Sequence, residues 1–464
     1  MKEFMGKDYL LDSATAVRLF GEYAQALPII DYHCHLEPQE IYNDKVYCNI
    51  AQVWLYGDHY KWRLMRAAGV DEQYITGAAD DWQKFYHYIK VLQYAINSPL
   101  YHWSALELRR CFGIAEIISE KNAQVIWEKA NDYIKSNSLS PVKALEFFNV
   151  ESLCTTDEGF SRLEYHKLIN NSKTCPTAVL PTFRPDKLIQ IDNEVFLDAV
   201  NKLSKATNID ISNYSHYLQA LDFQIEYFSK SGCVLADISF TELHYSNAPV
   251  NLAEKALEKK LCGKQPTTKE RDAFVWHTLH YLMSSFSKKG WATQLHLGAA
   301  RDNNTLMYKS LGTDTGYDSI SEAPFVVALG KLFDSLHSAG ALSKVIVYSL
   351  NPIYYSALTS MLGSFSSKGC SLQLGAAWWF NDNISGIYQQ MNIMSTLAHF
   401  GTSLGMLTDS RSFLSFVRHE FYRRLLCSFI GDKVEKGEFP ADEGLFAKIV
   451  KDICYYNIKN YLQI

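Results

Sequence analysis

Two kinds of segment alternate along this chain. Short apolar, β-branched runs recur at 29–35 (IIDYHCH), 149–154 (NVESLC), 176–182 (PTAVLPT), 233–238 (CVLADI), 291–297 (WATQLHL), 344–350 (KVIVYSL), 371–377 (SLQLGAA) and 403–408 (SLGMLT). Between them, apolar residues return at three- and four-residue spacing, as in 194–205, 268–287 and 325–338. Short continuous apolar runs mark strands covered on both faces, and helical periodicity between them marks crossover helices. Eight such units predict an α/β protein, a (β/α)8 TIM barrel.

One spacing breaks the rhythm. The first and second runs are separated by residues 36–148, which are rich in Trp, Tyr and helix formers. That is too long for a connecting loop and predicts a helical insertion subdomain. Residues 1–35 and 149–464 are then the barrel with its C-terminal helices, the chain ending in a helical pattern (LFAKIVKDICYYNIKNYL). The aromatic insertion offers a homo-oligomer interface as readily as it packs on its own barrel.

Composition narrows the class. A chain that is 47% hydrophobic and 14% aromatic can fill a large core. Net charge is −5 with no long basic block, so no nucleic-acid partner is expected. No run approaches the ~20 apolar residues of a membrane span, and the N-terminus lacks a signal-like apolar stretch. Ten scattered cysteines without a CxxC spacing read as reduced thiols in a cytoplasmic protein.

Chemistry in such a barrel sits at the C-terminal ends of its strands. The first run ends in His33 and His35, whose i, i+2 spacing turns both rings to one side while Cys34 points to the other. The fifth ends in His296 and the eighth runs into Asp409. Three imidazoles and a carboxylate at one rim form a ligand set for one divalent cation, zinc first, with manganese, iron or cobalt next. A second pair, His277 and His280 on a predicted helix, lacks a neighbouring Glu and a third ligand and reads as packing or surface histidines.

These features, together with the stretches that follow, resemble the uronate isomerases (glucuronate isomerases) of the amidohydrolase superfamily. The resemblance is carried by DYHCHL (31–36), GDHYKWRLMRAAGV (57–70), SPLYHWSALELRRCFGI (98–114), CTTD (154–157), PTFRPDK (181–187), TDTGYDSI (313–320), AAWWFND (376–382) and TDSRSFLSFVRHEFYRR (408–424). It implies an amidohydrolase-type barrel with a single metal, since the sixth run ends YSLNP without His and the fourth offers no bridging Lys or Glu. It also implies aldose–ketose isomerisation of hexuronates: D-glucuronate with D-fructuronate, and D-galacturonate with D-tagaturonate. Such a reaction moves a proton from C2 to C1 and must hold the sugar carboxylate. The resemblance then assigns Asp409 as base, Tyr60 as its partner, and Arg184 and Arg411 as carboxylate or enediolate binders, the planar guanidinium fork suiting two oxygens. His59 is to orient the sugar or Asp58 and His59 to cap their segment, Asp314 or Asp318 to bond hydroxyls, and Trp378 and Trp379 to stack on the ring, one of the two pointing away. Arg418, Arg423 and Arg424 read as surface or ion-pairing residues of the next helix.

Two positions depart from the family pattern. Its Ser-Asp-His-Gly after the fourth strand is Ala236-Asp237-Ile238-Ser239 here, and its Thr-Asp-Asp is Thr156-Asp157-Glu158. Two alternatives stand beside the isomerase: a hydrolase of the same superfamily, keeping the metal and acting on a carboxylated sugar lactone or ester, and a catalytically weak uronate-binding paralogue, which Ile238 alone recommends.

Overall fold

Parallel strands follow one another around the barrel in chain order. The computed structural model describes residues 2–464. Its strands are β1 (Ile29–Asp31), β2 (Val150–Cys154), β3 (Asp157–Glu158), β4 (Ala178–Leu180), β5 (Thr182–Arg184), β6 (Leu235–Phe240), β7 (Ala292–Leu297), β8 (Ala299–Ala300), β9 (Ser319–Ile320), β10 (Lys344–Ser349) and β11 (Ser371–Leu374). They pair as β1-β2-β4 and β11-β10-β7-β6-β5-β3, parallel throughout, with β8 and β9 forming a small antiparallel pair. The second predicted strand is whole in β2, with β3 following after a break at 155–156, and the third is broken between β4 and β5. Pro181, which has no N–H to give a ladder, marks the second break.

Each strand of the β6-β7-β10 ladder sends alternate residues to opposite sides. Leu235, Ala292, Ile346 and Tyr348 join the core that runs through the barrel. Ala236, Ile238, Leu295 and Val347 join a second core beneath the outer helices. Burying a Leu or Ile on either side contributes about 1.5–3 kcal/mol. The outer helices Phe196–Thr207, Thr268–Lys288 and Val326–Ser338 lie close to their predicted spans.

The eighth predicted strand is a correction. Among the described residues, 403–408 forms no strand. Gly405 has φ +74°, outside the β region, and a Cβ there would stand 2.3 Å from the Ile453 carbonyl oxygen. The segment still closes against the first strand. Asp409 N donates to His33 O at 3.1 Å, and His35 N donates to Ser410 O at 2.9 Å. Thr408 clasps the buried Asp31 carboxylate twice, by its N–H at 2.8 Å and its hydroxyl at 2.5 Å.

No strand forms between Asp31 and Val150 among the described residues. That stretch is helical, as expected, and one of its helices, His59–Ala67, starts at Asp58, whose side chain accepts from the Tyr60 and Lys61 N–H groups. Trp54, Phe85, Tyr88 and Trp103 from this stretch are buried in the same core as Tyr32 and the helix Val417–Glu435. Among the described residues no helix is long and apolar enough to cross a membrane.

The Asp31–Thr408 clasp substitutes for a missing ladder. Asp31→Ala is expected to lower stability by about 3 kcal/mol, the scale of two buried hydrogen bonds to a carboxylate. Chemical denaturation measures it, and an unchanged midpoint would refute the role.

Candidate active site

His33, His35 and Asp409 meet across the closing seam. Asp409 Oδ1 lies 3.3 Å from His33 Nε2 and 3.1 Å from His35 Nε2. Three donor atoms of these residues fall within 4.8 Å of one another. Asp409 holds this position with φ +46°, a left-handed backbone that costs a non-glycine residue about 1 kcal/mol or more. Its other oxygen accepts the Trp378 indole N–H at 2.9 Å.

His296 stands beside this group rather than inside it. Its ring is 4.6 Å from that of His33, and it forms a second triad with His33 and Asp237. Asp237 Oδ1 lies 2.6 Å from His296 Nδ1, which fixes that nitrogen as the donor and leaves the Nε2 lone pair free. Tyr348 lies flat on the same ring, 4.4 Å away and 6° from parallel. Gly375 makes room for it, since a Cβ there would meet the Tyr348 ring at 2.1 Å.

The charges are paired in depth. Asp237 also faces Arg184 at 3.5 Å, and Arg184 donates to Asp186 at 2.9 Å. Burial raises the Asp237 carboxyl, but His296, Arg184 and His33 outweigh it and hold it well below the carboxylate range. Burial likewise opposes ionisation of Asp409, and the hydrogen bonds of His33 and His35 overcome it. His35 is lowered to about 4, chiefly by burial, so it is a neutral imidazole at physiological pH.

This donor set fits a divalent cation. His296 Nε2, beside the group, is buried with no hydrogen-bond partner among the described residues, and imidazoles with an ionised carboxylate are what such an ion takes.

A small pocket opens beside the group, lined by Gly57, His59, Tyr60, Asp409, Arg411 and Arg418. Its volume is about 10 Å³, room for one water. The Tyr60 hydroxyl donates to Asp382 Oδ2 at 3.2 Å. Arg411 donates to the half-exposed Asp314 at 3.2 Å. Asp318 is buried and committed, one oxygen to Arg301 at 2.8 Å and the other to the Asp302 N–H at 2.7 Å. The 313–320 loop is fastened to the helix of His59 and Tyr60: Arg63 donates to the Gly316 and Asp318 carbonyls, and Arg66 to that of Thr315.

Several readings need adjustment. Neither tryptophan points away. β11 stops at Leu374, so strand alternation no longer governs the pair; Trp378 bonds Asp409, and Trp379 lies edge-on to His59 at 5.0 Å. Arg418, Arg423 and Arg424 are buried rather than at the surface. Arg424 does pair with Glu420, whereas Arg423 donates to the Ala24, Leu27 and Pro28 carbonyls and Arg418 reaches the pocket. His277 is a packing residue bonded to the Ala248 carbonyl at 2.8 Å. Sequence reasoning passed over Asp237, Asp382 and Arg301. Asp237 sits on the same strand end that drew attention to Ile238, and Asp382 closes the AAWWFND stretch.

The two departures lie off the His33–His35–Asp409 group. Ile238 pairs with Leu295 and packs into the outer core, one residue out of phase with Asp237. Glu158 pairs with Lys187.

A profile of the glucuronate isomerase family matches residues 1–462. The chain is 46% identical to the uronate isomerase of Caldanaerobacter subterraneus over 100% of both, and 43% identical to that of Bacillus subtilis over 100% of this chain and 98% of the relative. Its structure is similar to that of the Thermotoga maritima uronate isomerase, with TM-score 0.93 at 33% identity, covering 99% of this chain and 100% of the other.

Two measurements test this geometry. Titrating metal-free protein with a divalent ion to a hundred times its Kd should add about 2.7 kcal/mol of stability, and His33→Ala or Asp409→Ala should abolish the gain. Ile238→Ala should cost about 2–4 kcal/mol yet leave metal affinity as it was; a large affinity change would place Ile238 in the site after all.

Proposed function

The chain belongs to the uronate isomerase family, and we propose that it interconverts D-glucuronate with D-fructuronate and D-galacturonate with D-tagaturonate at the His33–His35–Asp409 group. The observation that carries this is Asp409, bonded to both histidines while lining the same pocket as Tyr60 and Arg411.

His33, His35 and Asp409, with His296 beside them, would hold one divalent cation, zinc in first place. When bound it supplies a positive template for the oxygens of the uronate. The residues do the rest. Asp409 is ionised and takes the proton from C2. The electron pair becomes the enediolate double bond, and charge moves onto the C1 oxygen, where Arg411 stabilises it. The Tyr60 phenol, pushed up by burial and by Asp382 and Asp409, exchanges the hydroxyl proton as the ketone forms at C2. Asp409 then returns its proton to C1. Arg184 is left to hold the sugar carboxylate, while His59, Asp314 and the faces of Trp378 and Trp379 position the ring. Asp318, bound to Arg301, shapes that wall. Ten free thiols support a reducing, cytoplasmic setting.

Ile238 was the one feature favouring a weak paralogue, and its place in the outer core gives that alternative no support.

The test is a coupled assay with both aldoses. Asp409→Asn is expected to lower kcat by roughly 10³-fold and Tyr60→Phe by about 10²–10⁴-fold, with metal content measured in parallel. An Asp409→Asn enzyme that keeps its metal and stays within tenfold of the parent would sink the assignment.

A further inference from the structure

The pocket-lining Arg418 forms a buried charge pair with Asp382 that the reaction as written does not use. Asp382 is 5% exposed and Arg418 3%. The guanidinium is pressed on the Trp103 ring at 3.9 Å and lies 5.4 Å from that of Tyr60. One of its nitrogens donates to the Thr408 carbonyl at 2.7 Å and stands 4.0 Å from Asp382 Oδ2. That same carboxylate oxygen accepts the Tyr60 hydroxyl.

The direction of this last bond matters. A phenol whose hydrogen goes to a carboxylate keeps its oxygen lone pairs free to accept a proton from another partner, and Tyr60 lines the pocket. It is then set to accept a proton there and pass its own to Asp382. Asp382 is placed to take that proton because its buried carboxylate already accepts the Tyr60 hydrogen, and burial and Asp409, partly offset by Arg418, hold its carboxyl above the ordinary range. Tyr60, Asp409, Arg418 and Tyr355 are the titratable and charged groups facing it.

We propose that Asp382, steadied by Arg418, is the positioning residue of Tyr60 and the store for its proton. The inference rests on the assignment of Tyr60 to the hydroxyl proton transfer. The accounting is simple. A sugar hydroxyl O–H bond breaks and a Tyr60 O–H bond forms. The original Tyr60 O–H bond breaks and an Asp382 O–H bond forms. The negative charge passes from Asp382 to the sugar oxygen, and the reverse sequence restores the enzyme. No electron transfer and no further reactant is needed.

Asp382→Asn keeps the shape and an acceptor oxygen but cannot store a proton. In metal-replete enzyme it should lower kcat by about 10²-fold or more with KM within threefold, and Asp382→Glu should recover at least tenfold of that loss. In a Tyr60→Phe background, Asp382→Asn should add no further loss, since the two act as one unit. An Asp382→Asn enzyme within threefold of the parent while Tyr60→Phe is crippled overturns this inference alone, as do additive losses in the double variant. A fully active Tyr60→Phe enzyme overturns the Tyr60 assignment and this inference with it. Should Asp382→Asn not fold, Arg418→Lys gives the reading instead: a fall in kcat at steady KM supports the store, and unchanged kcat removes it.

Discussion

Everything at the functional end depends on how the barrel closes. A regular eighth strand would have carried its own ladder, but the chain at 403–410 crosses Gly405 in a left-handed conformation and packs on the C-terminal tail. Closure is left to a few bonds: Asp31 to Thr408, Asp409 N to His33 O, and His35 N to Ser410 O. Those bonds are also what bring the Asp409 carboxylate to the two imidazoles. The fold is completed and the site assembled by the same contacts.

Burying so many ionisable groups is costly unless each has a partner. The structure meets that constraint in layers. Asp237 lies between His296 and Arg184, and Asp186 and the Ser239 N–H complete the back of that layer. Asp382 and Arg418 form a separate pair under Tyr60. Each layer fixes the orientation of the one in front of it: Asp237 sets the His296 tautomer, and Asp382 sets the direction of the Tyr60 hydroxyl.

The strands that end in chemistry were legible because buried parallel strands leave continuous apolar runs, and seven of the eight segments become ladders. The eighth was misread for a physical reason: SLGMLT has a strand's composition, yet Gly405 makes its backbone something else. His33, His35 and Asp409 were singled out as residues at the ends of predicted strands, and the structure brings the three together although the last of those runs forms no strand. Asp237 and Asp382 could not be singled out, because a carboxylate among 50 acidic residues shows no sign of burial in sequence. Arg418 was hidden likewise, by lying on a helix that is buried around most of its circumference, so polarity no longer marks its outer face. Tyr60 was reachable only through the resemblance, since 29 tyrosines give no reason to single one out.

The left-handed backbone at Asp409 bears on how this chain would drift if selection for turnover relaxed. Glycine suits that geometry better than aspartate does, but it would leave His33, His35 and the Trp378 indole without the carboxylate they bond. Drift at 409 would therefore trade a relaxed main chain against three lost side-chain bonds.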